Sequence, residues 1–219
     1  MIQPVLAVLL AAAALSAPET IFDARLRPAP AKPSAAEEAL FRSEILPSTR
    51  SAWTSRGRGP ECRRAPGNTV VDIATGSFTR PGAVQRAMLY TGCTYGGGVT
   101  IGGVAIIEDG RVAAVVIYEG DARVAIAALP DIDGNGRSEI LLATSGVVSI
   151  VEVGADKVTT FGQTESVAGG RAHRIAVKPG PKPAFFRETF VESGGEWKQT
   201  AALTPLILGE DKMEYEFVR

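Results

Sequence analysis

Histidine is nearly missing from this chain: His173 is the only one. Hydrolysis by a Ser-His-Asp triad needs a base beside its nucleophile. His173 instead sits in the polar stretch Arg171-Ala-His-Arg174, and no Gly-x-Ser-x-Gly elbow occurs anywhere. A zinc site built from His and Cys needs more ligands than one histidine and two cysteines supply. Charge of one sign is missing too. The net charge of −1 provides no global field toward nucleic acid or a membrane surface. Phosphate and dinucleotide fingerprints are absent. Gly96-Gly97-Gly98 and Gly102-Gly103 do not fit G-x-G-x-x-G between a strand and a helix, and read instead as a flexible turn and a strand bulge.

One unbroken apolar run exists, Val5–Ala14, followed by the small residues Ser16 and Ala17. It is shorter than the roughly 20 residues that span a bilayer. Residues 1–17 read as a secretory signal peptide, although the segment before the apolar run carries no Lys or Arg. The expectation is a secreted or periplasmic protein with no membrane span after signal removal. Export bears on the two cysteines. In an oxidising compartment Cys62 and Cys93 pair as a disulfide, closing a loop of about 30 residues and stabilising by about 3–4 kcal/mol in the chain-entropy model. Two buried free thiols and metal ligation are the alternatives.

The rest of the chain divides in two. Residues 18–60 form an arm punctuated by Pro28, Pro30, Pro33, Pro47 and Pro60. Ser34-Ala-Ala-Glu37 resembles a capping box, with Leu40, Phe41 and Ile45 on one helical face and Pro47 as the stop. Arg50, Arg56, Arg58, Arg63 and Arg64 surround Trp53. They read as a solvated linker whose Trp packs on the domain; a docking segment for an acidic surface is the other reading. Residues 61–219 form a β domain. Val99–Ile107 and Val112–Tyr118 flank Asp109-Gly110, a strong hairpin turn. Val124–Leu129, Ile140–Ala143, Val147–Val153, Lys157–Phe161, Ala184–Val191 and Met213–Val218 continue the series, with turn signals about every 8–12 residues. The fold class is all-β, with antiparallel strands in a partial propeller-like or sandwich-like domain.

Between two of those strands stands Asp131-Ile-Asp133-Gly-Asn135-Gly136-Arg-Ser-Glu139. Oxygen-bearing side chains fall at positions 1, 3, 5 and 9, with glycine at 6. Calcium takes six to eight oxygens at about 2.3–2.6 Å, and alternate residues of a tightly curled loop can aim at one centre. An EF-hand is excluded, because position 12 is Leu142 and the flanks are strands. The stretch Leu129-Pro-Asp131-Ile-Asp133-Gly134-Asn135-Gly136-Arg-Ser-Glu139-Ile140-Leu141 resembles the FG-GAP/VCBS-type repeat of integrin α-subunit propellers and of many exported bacterial proteins. The resemblance implies a loop joining two strands of a propeller blade and binding Ca2+. The implied ligands are Asp131, Asp133, Asn135, the Arg137 carbonyl and Glu139. Asn135 and Glu139 stand where the family more often has Asp.

Gly76–Leu89 lies on the same template at an offset of 54 residues, with Ser77 matching Asp131, Gly82 matching Gly136 and Gln85 matching Glu139. The acidic ligands are gone, so this copy is expected to be metal-free. Lys178-Pro179-Gly180 is a fainter third echo. Together these features predict an exported, calcium-stabilised β domain acting as a binding or structural module for a protein or glycan partner, with no nucleic acid involved. The alternatives are a secreted hydrolase using the carboxylates of the Asp131–Glu139 region, and an inhibitor of an envelope enzyme using the Arg-rich arm, Trp53 or Trp197 as its contact.

Overall fold

Strands separated by tight turns pair first with their chain neighbours, and most strands of this chain do so. The structure, a computed structural model, describes residues 17–26, 29–55, 57, 62, 66–154, 156–211 and 214–218. The expected signal segment, Ala17 apart, lies outside the described residues, as do Arg56, Arg58, Arg63, Arg64 and Met213. The first described elements are β1 (Glu19–Asp23) and a helical arm, α1 (Ala35–Leu40) and α2 (Leu46–Ser55). A first meander follows: β2 (Pro66–Gly76), β3 (Gln85–Tyr95), β4 (Val99–Glu108) and β5 (Arg111–Gly120). A second comprises β6 (Ala125–Ala128), β7 (Ile140–Ala143), β8 (Val147–Val153) and β9 (Val158–Glu165). A third comprises β10 (Val167–Ala168), β11 (Arg171–Lys178), β12 (Ala184–Ser193) and β13 (Glu196–Leu206), and β14 (Glu214–Phe217) ends the series.

Among the described residues every strand pairing is antiparallel, and the meanders make three sheets. The terminal strands cross between them. β14 adds to β5 at the edge of the first sheet, and β1 adds to β11 in the third. Between these ends, Gly209 and Gln163 exchange backbone hydrogen bonds of 2.8 Å, tying the C-terminal segment to β9 of the second sheet.

The cores fix the layer order. Phe41, Ile45, Leu46 and Trp53 of the arm pack on one face of the first sheet, against Met88, Tyr90, Ile101 and Ile117. The opposite face, with Leu89, Val104, Ile106 and Val116, packs on Ile126, Ile140, Leu142 and Val151 of the second sheet. Leu141, Val148 and Ile150 then face Ile175 and Val177 of the third. The result is all-β with a helical arm: three antiparallel sheets stacked in chain order, without closure into a propeller. Among the described residues no helix is long and apolar enough to cross a membrane.

Several local expectations hold. Asp109 and Gly110 both have positive φ, 49° and 71°, at the β4–β5 turn. The capping box is complete: Glu37 N–H donates to Ser34 Oγ (3.3 Å) and Ser34 N–H to Glu37 Oε2 (2.7 Å). Cys62 and Cys93 form a disulfide with Cα atoms 5.2 Å apart.

Others need correction. Pro47 does not stop the helix. A π-helical turn at Phe41–Ile45 sends the Leu46 N–H to the Phe41 carbonyl, and the widened turn admits the proline ring. Gly102 and Gly103 are not a bulge. The register shift lies opposite them in β3, between Thr91 and Cys93. A Cβ at Gly102 would meet Tyr118 Oη at 2.6 Å, and one at Gly103 would meet Tyr90 Oη at 2.3 Å, so these glycines serve close packing. Gly92, inside the shift, makes room for Trp53, whose ring would lie 1.8 Å from a Cβ there. Trp53 is therefore core, only 2% exposed, and not a contact surface. β1, β2, β3, β10, β11 and β13 have no counterpart among the strands expected from the sequence; β1 and β13 in particular carry no long alternating apolar pattern.

Candidate metal centre

The Asp131–Glu139 loop joins β6 to β7, the first two strands of the second sheet. Its base is closed by Leu129 N–H donating to the Glu139 carbonyl (2.8 Å). Its second residue, Ile132, is wholly buried and plugs the core between the second and third sheets. That anchor leaves the polar residues on either side to curl outward. Asp131 organises the curl: Oδ1 accepts from the N–H of Gly134 (2.7 Å) and Asn135 (3.0 Å), and Oδ2 from that of Gly136 (2.7 Å). Asp133 Oδ1 accepts from Asn135 N–H at 3.1 Å. Gly136 has φ +85°, a conformation that side-chain-bearing residues resist, and a Cβ there would also press on Pro81 at 3.1 Å.

Glu139 enters this curl from the start of β7 and is fully buried. One oxygen accepts from Ile132 N–H at 2.9 Å; the other, Oε1, has no hydrogen-bond partner. Burial pushes its carboxyl up to about 7; the Ile132 N–H opposes that shift, while Asp133 and Asp131 add to it. Carboxylate oxygens of Asp131, Asp133 and Glu139 lie within 4.8 Å of one another. Oxygens bound to one ion at about 2.3–2.6 Å stand at most about 5 Å apart, so this donor set fits a hard divalent cation such as calcium.

The other two expected ligands are engaged differently. Asn135 turns its amide nitrogen to Asp133 Oδ2 (3.1 Å) and to Glu152, while its oxygen accepts from Arg137 N–H at 2.9 Å. Arg137 sends its guanidinium to Glu152 Oε1 at 2.5 Å. Glu152, on β8 and 5% exposed, is the residue that sequence reasoning missed. A signal existed: it is the only charged residue of Val147–Val153, a strand buried along nearly its whole length.

The first sheet holds a twin of this loop. Residues 77–84 join β2 to β3, and Phe78, which matches Ile132 at the offset of 54, is likewise fully buried and plugs the core between the first and second sheets. Gln85 repeats the Glu139 contact: Oε1 accepts from Phe78 N–H (2.8 Å) and Thr79 N–H (2.9 Å). Its Nε2 donates to Thr79 Oγ1 (2.6 Å) and Glu108 Oε2 (2.7 Å). Here both ends of the amide are satisfied. The loops also touch. Ser138 N–H donates to the Ser77 carbonyl, and Gly180 N–H, in the third echo, to the Ile132 carbonyl, both at 2.8 Å. All three echoes therefore meet at one end of the stack.

His173 lies apart on β11, 5% exposed, with Nδ1 3.1 Å from Thr189 Oγ1. Burial, helped by Arg187, holds its pKa below the usual imidazole range. No protein-family model, no curated protein and no solved structure matches the chain.

Proposed function

We propose that this chain is an exported β domain, stabilised by one calcium ion, that serves as a binding or structural module toward a protein or glycan partner. The observation that carries the reading is the buried Glu139 carboxylate, which has one partnerless oxygen, Oε1, and stands in a cluster with two further carboxylates. A buried carboxylate oxygen without a donor is costly, and three carboxylates this close repel one another. A calcium ion supplies the compensating positive charge. Asp131, Asp133 and Glu139 would hold it, with Asn135 and the Arg137 carbonyl completing the set that the FG-GAP/VCBS resemblance implies.

The twin loop of the first sheet supports this reading from the opposite side. Where Ser77, Thr79 and Gln85 stand in place of Asp131, Asp133 and Glu139, hydrogen bonds within the loop engage all three side chains. The disulfide between Cys62 and Cys93 suits an oxidising compartment, and millimolar extracellular calcium would fill even a modest site.

The test is thermal unfolding in chelator and in calcium. An ion that binds only the folded state at about 100 times its Kd adds about 2.7 kcal/mol. For a chain of this length that raises Tm by roughly 5–10 °C. An unchanged Tm at several millimolar calcium would overturn the reading.

A further inference from the structure

The two twin loops share one more partner, a glutamate on the third strand of each sheet. Arg86 pairs with Ile107 across β3 and β4, so Gln85 and Glu108 come together one step beyond that pair. Ile140 pairs with Val151 across β7 and β8, which brings Glu139 and Glu152 to the same relation. In both sheets an arginine of the loop pairs with that glutamate: Arg80 reaches both oxygens of Glu108, and Arg137 takes Oε1 of Glu152. The second oxygen differs. Glu108 Oε2 accepts the Gln85 amide at 2.7 Å. Glu139 has no proton donor to offer when ionised, and Glu152 Oε2 accepts the amide of Asn135 instead.

We infer that Glu152 is a positioning residue of the calcium site, and that it is the reason position 135 carries Asn rather than Asp. The inference rests on the calcium reading given above. Both oxygens of Glu152 are occupied, by Arg137 and by Asn135, so it acts through them and not as a ligand. An amide at 135 satisfies two demands at once. Its nitrogen donates to Glu152 and Asp133, and its oxygen remains on the loop side. A carboxylate at 135 would lose both donations and face Glu152 as a like charge. Glu152 is buried, so water would screen little of that repulsion.

The consequence is a reversal of sign. Adding a carboxylate to a calcium loop ordinarily tightens binding. Here Asn135→Asp should weaken it while Glu152 is present and tighten it once Glu152 is Gln, whose amide can donate to the new carboxylate. Hydrogen bonds to charged groups of this kind are worth about tenfold or more in affinity.

Calcium titration calorimetry on the unaltered protein, Asn135→Asp, Glu152→Gln and the double variant tests this, with thermal unfolding in chelator verifying that each is folded. The expected result is a loss of about tenfold for each single variant and an affinity for the double variant within about threefold of the unaltered protein. Glu108→Gln, which alters the same clamp in the twin loop, should leave calcium affinity unchanged. Tighter binding by Asn135→Asp alone, or single effects that multiply in the double variant, would overturn the assignment while leaving the calcium reading intact. No calcium binding by the unaltered protein would overturn both. Asn135→Asp lies in an exposed loop and decides the sign on its own if Glu152→Gln does not fold.

Discussion

At Glu139 a carboxylate replaces the amide that Gln85 supplies at the matching place in the first sheet. Gln85 leaves nothing unsatisfied, whereas Glu139 leaves Oε1 buried without a partner. Glu139→Gln should therefore remove the calcium-dependent rise in Tm while leaving the metal-free protein as stable as before, or more stable by about 1–3 kcal/mol; urea unfolding with and without chelator measures both. His173 makes a separate prediction. Its folded pKa lies below the unfolded value, so neutral His173 contributes stability above about pH 6.5, and that contribution is lost as pH falls from there toward the folded value. Between pH 7 and pH 5, His173→Gln should lose less stability than the unaltered protein. The clustering of Asp131, Asp133 and Glu139 was legible because residue type and spacing along one loop set it. Glu152 was not, because its contacts with Asn135 and Arg137 span 17 and 15 residues and depend on how β7 and β8 register.

Elements show the same division between local and distant causes. The start of α1 was legible from Ser34 and Glu37, a signal three residues long. Its end was not, because the π-helical turn carries the helix past Pro47 and delivers Trp53 to the sheet. That delivery needs Gly92. Gly92→Ala would drive a methyl into a wholly enclosed indole, and should destabilise by about 2–3 kcal/mol or more in urea unfolding. The strands bounded by turn chemistry, β4 and β5 above all, were legible almost to the residue. β13 was not: ten of its eleven residues are exposed, so neither face imposes an apolar period on Glu196–Leu206. Ile132 and Phe78 act as plugs between neighbouring sheets. Ile132→Ala should cost about 2–5 kcal/mol, from lost burial and the cavity left behind.

At the scale of the whole molecule, three sheets are stacked in chain order and the two ends of the chain cross over to tie them. β1 reaches the third sheet and β14 the first, contacts that join residues 151–158 and 95–101 positions apart. No local pattern encodes such pairings, which is why the all-β class was legible and the stacking order was not. The three loops at one end of the stack give the proposed ion its leverage. Ser138 binds Ser77 on one side and Ile132 binds Gly180 on the other, so ordering the Asp131–Glu139 loop orders its neighbours in both adjoining sheets. Calorimetric titration of chelator-stripped protein with calcium is the most direct test of that claim. One site per chain, with Kd in the range of roughly 10⁻⁵–10⁻³ M and abolished by Glu139→Gln, is the predicted result. Absence of binding at several millimolar calcium, or binding that Glu139→Gln leaves unchanged, would contradict it.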